Sequence, residues 1–264
     1  MPATTRHVLV LGDSLTYLGP EPGNVLTDPR LFPNVMAGRL EGEVAIDLLA
    51  RLGWGARDAW WALTKDPRSW GQYVPRADAL VLAVGGFDQL PAVIPSYARE
   101  GMAYLRPGGL RRSVRRTYHR VAPPLMRATD GRLRQLPQAA TDRYLARCLE
   151  AVWALRPGIP VVLVGPSPYD SALYPAQRPH PAAVRAARAW ASEHGTGFVD
   201  LDPLVTPHLR AGRNNPDGLH WGWETHAEVG EALAHELTRV GWGGACQPRP
   251  EGDNGAPARP TPLE

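Results

Sequence analysis

Five short apolar runs, each bounded by turn residues and separated by longer segments of helical character, constrain this chain more than any other feature. They are Val8–Leu11, Val44–Leu49, Ala79–Val84, Pro160–Val164 and Gly197–Leu201. Their near-continuous hydrophobicity suits strands buried on both faces of a parallel sheet, where polar alternation has no place. Between them, Leu31–Leu40, Ala56–Thr64, Ala139–Leu155, Ala182–His194 and Glu224–Val240 read as helices, with Gly195 closing the fourth. Strand alternating with helix predicts an α/β fold with a doubly wound, flavodoxin-like parallel sheet of five strands and flanking helices. Ligands in such sheets bind beyond the carboxyl ends of the strands. Chemistry is therefore expected just after Leu11, Leu49, Val84, Val164 and Leu201.

The chain has 264 residues, enough for one catalytic domain over residues 1–242. No run approaches the roughly 20 apolar residues needed to span a bilayer, and no apolar signal segment precedes Val8. Cys148 and Cys246 are too few for a disulfide framework or a cysteine-based metal site. The expectation is a cytoplasmic protein without metal, cofactor or stable membrane insertion. Two regions depart from the alternation. Between Arg99 and Arg134 stand ten arginines and two acids, inside a chain of formal net charge +3. This stretch, about 99–138, reads as a helical insertion after the third strand. It is either a solvated basic face or a cap that attracts an anionic substrate. Nucleic acid is not expected as a partner, because only Tyr104 and Tyr118 interleave with the charges. Pro107-Gly108-Gly109 interrupts the run, against a continuous membrane-surface helix. From Gly243 to Glu264, nine of 22 residues are Pro or Gly, which predicts a disordered tail.

The first strand runs into Gly12-Asp13-Ser14-Leu15, which puts a serine at the first strand-to-helix turn. A serine there can present its hydroxyl at the sheet edge, with turn amides facing a developing oxyanion. Such a nucleophile needs a base and an orienting acid, and Asp217-Gly218-Leu219-His220 offers both just ahead of the last helix. His180, His194, His208 and His226 lack that partnership.

These blocks, with glycines after the second strand and Gly-Gly-x-Asp after the third, resemble the SGNH (GDSL-type) hydrolase family. The resemblance implies a metal-free acyl-serine mechanism with Ser14 as nucleophile, His220 as base and Asp217 as its orienting carboxylate. It also implies an oxyanion hole from the N–H groups of Ser14 and of a second-block glycine, Gly53 ahead of Gly55, and from a third-block asparagine. Here the third block departs from the pattern: in Leu82–Asp88 (LAVGGFD), Phe87 stands where the asparagine belongs. Phenylalanine donates no hydrogen bond, and a lost oxyanion donor costs about 10²–10³ in rate.

The stretches DSLTYLGP, DPRLFPN, RLGWGARDAWW, KDPRSW, GGFDQLP and NPDGLHW further resemble the actinobacterial diglucosylglycerate octanoyltransferase group, whose third block also lacks the asparagine. That resemblance implies octanoyl transfer from a thioester donor, acyl-CoA or an acyl carrier, to a sugar-type acceptor such as a glucosylated glycerate. A plain esterase or thioesterase of the same fold is the alternative, and a basic binding protein with weakened catalysis the third reading. Around the reacting groups, Asp13, Tyr17, Trp54, Arg57, Phe87, Asp88 and Trp221 are the expected substrate contacts. Arg57 is placed to hold a carboxylate or to pair with Asp58 or Asp88. Asp88 either orients the Gly53 loop or meets a sugar hydroxyl. The tryptophans either stack on substrate or fill the core.

Overall fold

A computed structural model describes residues 5–244 apart from 22 and 95, with the side chains of 96, 97 and 100 also left aside. Strands β1 (Arg6–Gly12), β2 (Val44–Ala50), β3 (Ala79–Ala83), β4 (Val161–Val164) and β5 (Gly197–Val199) form one parallel sheet in the order β2-β1-β3-β4-β5. The helices are α1 (Phe32–Arg39), α2 (Ala56–Lys65), α3 (Val74–Arg76), α4 (Ser96–Gly101), α5 (Gly108–Ala128), α6 (Gln138–Leu155), α7 (His180–Glu193), α8 (Asp202–Arg210) and α9 (Trp223–Arg239).

The pleat sorts the strand side chains by face. Leu9, Leu11, Leu80 and Leu82 pack with Leu63 of α2, Leu145 and Leu149 of α6 and Trp190 of α7. Val8, Val10 and Val81 pack on the other face with Phe32 and Met36 of α1, Val205 of α8 and Leu233 and Leu237 of α9. Both faces of β1 are thus covered, which explains why its sequence shows no alternation. In α6, Thr141, Leu145, Cys148, Leu149 and Val152 are buried, the stripe of an amphipathic helix turned to a sheet.

Two expectations are corrected. β5 stops at Val199 because the chain turns into α8, where Pro203 sits in the first turn, a position proline tolerates. Pro107-Gly108-Gly109 does not interrupt a helix but starts one, with Pro107 at the cap of α5.

The arginine-rich segment is helical, built from α4 and α5, and its base is closed by the chain itself. Ala92 N–H donates to the Leu133 carbonyl at 2.8 Å, Gln135 N–H to Leu90 at 3.1 Å and Leu136 N–H to Asp88 at 3.1 Å. The segment therefore leaves and re-enters the fold at one point, directly after β3. α5 anchors by Ala122 and Met126, while Leu110, Val121 and Leu125 face solvent. Gly243 and Gly244 form a turn held by Arg6, which donates to the Gly244 carbonyl at 3.0 Å. The rest of the expected disordered tail, with Cys246, lies outside the described residues.

Candidate active site

β1 ends at Gly12, where any side chain would collide with Thr16: an added Cβ would sit 1.9 Å from its Oγ1. The chain then turns at once into a single 3-10 turn, Ser14–Thr16. Asp13 caps that turn, its Oδ1 accepting the Leu15 N–H at 2.9 Å. The Asp13 carboxylate is thereby used locally, although it also lines the cleft described below. Burial pushes its pKa up to about 7, against the Leu15 hydrogen bond and with help from the nearby Asp88 charge.

The partner loop lies at the other end of the chain. Gly218 adopts φ +67°, and a Cβ there would sit 1.7 Å from the Asp170 carbonyl oxygen. The same approach is closed by a hydrogen bond from Asp170 N–H to the Gly218 carbonyl at 2.8 Å. Asn214 holds the far end, its Oδ1 accepting from Gly222 N–H at 2.9 Å and Thr225 Oγ1 at 2.7 Å. Within this braced loop Asp217 Oδ1 accepts the N–H groups of Leu219 and His220 at 2.9 and 3.0 Å. Its Oδ2 lies 2.5 Å from His220 Nδ1. His220 Nε2 lies 3.0 Å from Ser14 Oγ. An ionised carboxylate only accepts, so Nδ1 carries the proton and Nε2 is free to take one from the serine. Burial would raise the Asp217 pKa, but the His220 backbone and side chain and the Leu219 N–H outweigh it, holding the group below its ordinary value. The three residues can act as nucleophile, base and orienting acid.

Beside Ser14 opens a cleft walled largely by apolar side chains including Leu15, Phe32, Phe87, Leu90, Leu219 and Trp221. Trp221 is both wall and core: it is 1% exposed, lies 5.8 Å from the Phe32 ring and donates from Nε1 to Ser167 Oγ at 3.0 Å.

The two glycines after β2 differ. The Gly55 N–H is taken by Asp58 Oδ2 at 2.9 Å, and a Cβ on Gly55 would lie 1.8 Å from Asp88 Oδ1. Gly55 is thus a close-packed helix entry. Gly53 sits at φ +72° in a turn beside Phe87, with its N–H bonded to no acceptor among the described residues. The geometry favours Gly53 as an oxyanion donor.

Asp88 is 4% exposed and lies behind the cleft wall, where its Oδ2 accepts from Ala56 N–H at 2.9 Å and Thr141 Oγ1 at 3.1 Å. It braces the α2 entry rather than facing a substrate hydroxyl. Burial pushes its pKa up to about 6, against those hydrogen bonds. Arg57 pairs with Asp58 at 3.5 Å and leans over the Trp61 ring. Trp54 and Trp60 pack against the core under α2 and α6. Tyr17 is half-buried, and its phenol is pushed up by burial, against the opposing effect of the Leu52 N–H.

Two contributions escaped the sequence reading. His226, buried at 0% exposure, joins α9 to the serine turn: one ring nitrogen faces the Leu18 carbonyl at 3.2 Å and the other accepts Phe32 N–H at 3.3 Å. Burial drives its pKa down to about 4, so it stays neutral. Arg99, one of ten insertion arginines with nothing in the sequence to single it out, lies over the Phe87 ring at 4.9 Å.

Residues 10–228 match the model of the GDSL-like lipase/acylhydrolase family. The chain belongs to that family. Among curated relatives it is 41% identical to the diglucosylglycerate octanoyltransferase of Mycolicibacterium hassiacum, over 89% of this chain and 95% of that protein. It is 40% identical to the enzyme of that name from Mycobacterium tuberculosis, over 89% and 93%. The lipase/acylhydrolase of Enterococcus faecalis shares the fold with a TM-score of 0.58 at 17% identity, over 89% of this chain and 96% of its own. The aryl esterase of M. smegmatis does so at 0.57 and 16%, over 89% and 99%. As a GDSL-like acylhydrolase relative, the protein is an enzyme of acyl transfer or acyl hydrolysis. No helix among the described residues is long and apolar enough to cross a membrane.

Proposed function

We propose that the protein is a serine O-acyltransferase that moves a medium-chain, octanoyl-like group from a thioester to a sugar-type acceptor such as diglucosylglycerate. The observation that carries this reading is the hydrogen-bonded series Ser14–His220–Asp217 opening on a mainly apolar cleft. The names of the two 40–41% identical relatives supply the substrate class.

His220 Nε2 takes the Ser14 proton as Oγ attacks the thioester carbonyl. The N–H groups of Ser14 and Gly53 receive the developing oxyanion. The intermediate collapses with loss of the thiolate, which leaves with the proton held on His220, and Ser14 carries the acyl ester. An acceptor hydroxyl then gives its proton to His220 and attacks that ester, and the ester product leaves as the proton returns to Ser14. Asp217 stabilises the imidazolium in both halves. Every step is carried by side chains and amides of the chain, without metal or cofactor. Apolar burial at about 0.8 kcal/mol per methylene gives an eight-carbon chain roughly 5 kcal/mol of attraction to such a cleft.

Octanoyl-CoA incubated with the enzyme, with and without glucosylglycerate or diglucosylglycerate and followed by mass spectrometry, tests the reading. Acylated acceptor is expected to form at the expense of octanoic acid. Free acid alone, unaffected by acceptor, would leave a thioesterase. Ser14→Ala should lower thiol release about 10⁴-fold or more.

A further inference from the structure

Most arginines of the insertion face solvent, but Arg99 is half-buried. Its guanidinium carbon lies 4.9 Å from the Phe87 ring centroid, and Phe87 walls the cleft next to Ser14. A methyl group placed on Gly53 would sit 3.6 Å from the Phe87 ring and 3.9 Å from Arg99 Nη2. Burial pushes the Tyr174 and Tyr118 phenols up, and the Arg99 charge opposes that shift in both. The described carboxylates of the Gly53–α2 and β3–Phe87 segments are engaged elsewhere, Asp58 with Arg57 and the Gly55 N–H, Asp88 with Ala56 and Thr141. Among the described residues no carboxylate forms an ion pair with Arg99. A guanidinium stacked on an aromatic face keeps its in-plane N–H fork free, and that fork fits a carboxylate.

We propose that Arg99, set between Gly53 and the Phe87 ring, forms the subsite that holds a carboxylate of the acyl acceptor. This rests on the glycosylated-acid acceptor proposed above and names the residue that would select it. The position argues for the acceptor. Arg99 Nη2 lies 3.9 Å from the Cβ position of Gly53, the oxyanion donor proposed above, whereas the phosphates of a CoA donor lie at the far end of the pantetheine arm. An anion at Arg99 therefore belongs to a molecule whose charge is a few bonds from the reacting hydroxyl. Phe87 then has a purpose of its own. It gives up an oxyanion donor and supplies the ring on which the cation rests.

Isothermal titration calorimetry with glucosylglycerate and with its uncharged analogue glucosylglycerol tests the subsite without relying on turnover. The wild type should bind the carboxylate ligand about 10- to 100-fold more tightly, the range of a charge-assisted hydrogen-bonded pair. Arg99→Gln should erase that preference and Arg99→Lys restore part of it, since lysine keeps the charge but not the fork. A wild type with no preference, or a folded Arg99→Gln protein that retains it, would overturn the proposal. So would a loss in Arg99→Gln confined to CoA, which would mark the anion as the donor's phosphate. Should Arg99→Gln not fold, the Arg99→Lys ratio decides: an unchanged full preference counts against the fork, a reduced one for it. Octanoyl transfer is scored separately. A protein that binds through Arg99 but releases only octanoic acid keeps the subsite and loses the transferase assignment.

Discussion

Asp13 and Asp88 are two buried carboxyls, one capping the serine turn and the other the entry to α2, and each sits in an environment that disfavours its charge. Their effect on stability has a definite sign. A carboxyl raised from 3.8 to about 6 in the folded state holds its proton there after the unfolded chain has lost it. The folded state binds more protons across that window, so its stability falls as pH rises from about 4 to about 6, and to about 7 for Asp13. In Asp88→Asn an amide oxygen in the place of Oδ2 can still accept both Ala56 N–H and Thr141 Oγ1, while the ionisation disappears. Its Tm relative to wild type is therefore expected to climb between pH 4 and 6 and to level off above, as thermal melts in a buffer series would show. A Tm difference that stays flat across the series would place the Asp88 carboxyl in an ordinary, charged state. The residue types of both acids were legible in the motifs that flank them. Their burial was not, because it depends on Thr141, which lies in α6 across the insertion.

The Asp217–His220 loop is the element on which the candidate site depends, since it carries two of the three groups proposed to react and has no regular secondary structure between α8 and α9. Its shape is held by the close approach of Gly218 to the Asp170 carbonyl, so the loop after β4 acts as a template for the loop before α9. Gly218→Ala adds a Cβ into that carbonyl at a positive φ, a backbone state that costs a non-glycine residue about 1 kcal/mol or more. The loop must move to make room. A 1 Å misplacement can cost about 10²-fold in rate, so kcat is expected to fall about 100-fold while the core and its Tm change little. Steady-state kinetics beside a melting curve separate the two. A Tm loss matching the activity loss would assign Gly218 to the fold instead. The D-x-x-H spacing announced the loop, and its glycine announced a turn. That the turn leans on Asp170 is a contact between distant segments that no local pattern encodes.

Across the whole molecule, charge is unevenly spread. The stretch from Arg99 to Arg134 carries a formal +8 within a chain of net +3, so the remaining chain is about −5. That positive segment emerges after β3, at the carboxyl end of the sheet where Ser14 and His220 meet, and it delivers Arg99 to Phe87. Such a field raises the encounter rate with an anionic donor and is screened over about 10 Å at 0.1 M salt. Raising salt from 50 to 300 mM should thus lower kcat/KM for octanoyl-CoA several-fold and leave an uncharged octanoyl thioester, such as that of N-acetylcysteamine, nearly unaffected. Equal salt sensitivity of the two donors would show that the arginines do not steer the donor.

The strand–helix alternation, the parallel sheet and the serine, aspartate and histidine that the fold brings into one hydrogen-bonded series were determined by the sequence itself. Each depends on short-range pattern: apolar runs that can only be buried strands, and tight turns whose residue types are nearly dictated by their geometry. Tertiary structure alone decided which glycine keeps a free amide, which carboxylates are buried and which arginine reaches the site. Arg57, open in the sequence between holding a carboxylate and pairing with Asp58 or Asp88, is paired by the fold with Asp58, and Arg99 is the arginine placed over Phe87 of the cleft wall. The reason is physical. A side chain's partner is set by what the fold packs beside it: Arg99 of the insertion meets Phe87 from the turn after β3 and Gly53 from the loop after β2, and the meeting of these segments is specified only by the sheet order and the re-entrant insertion.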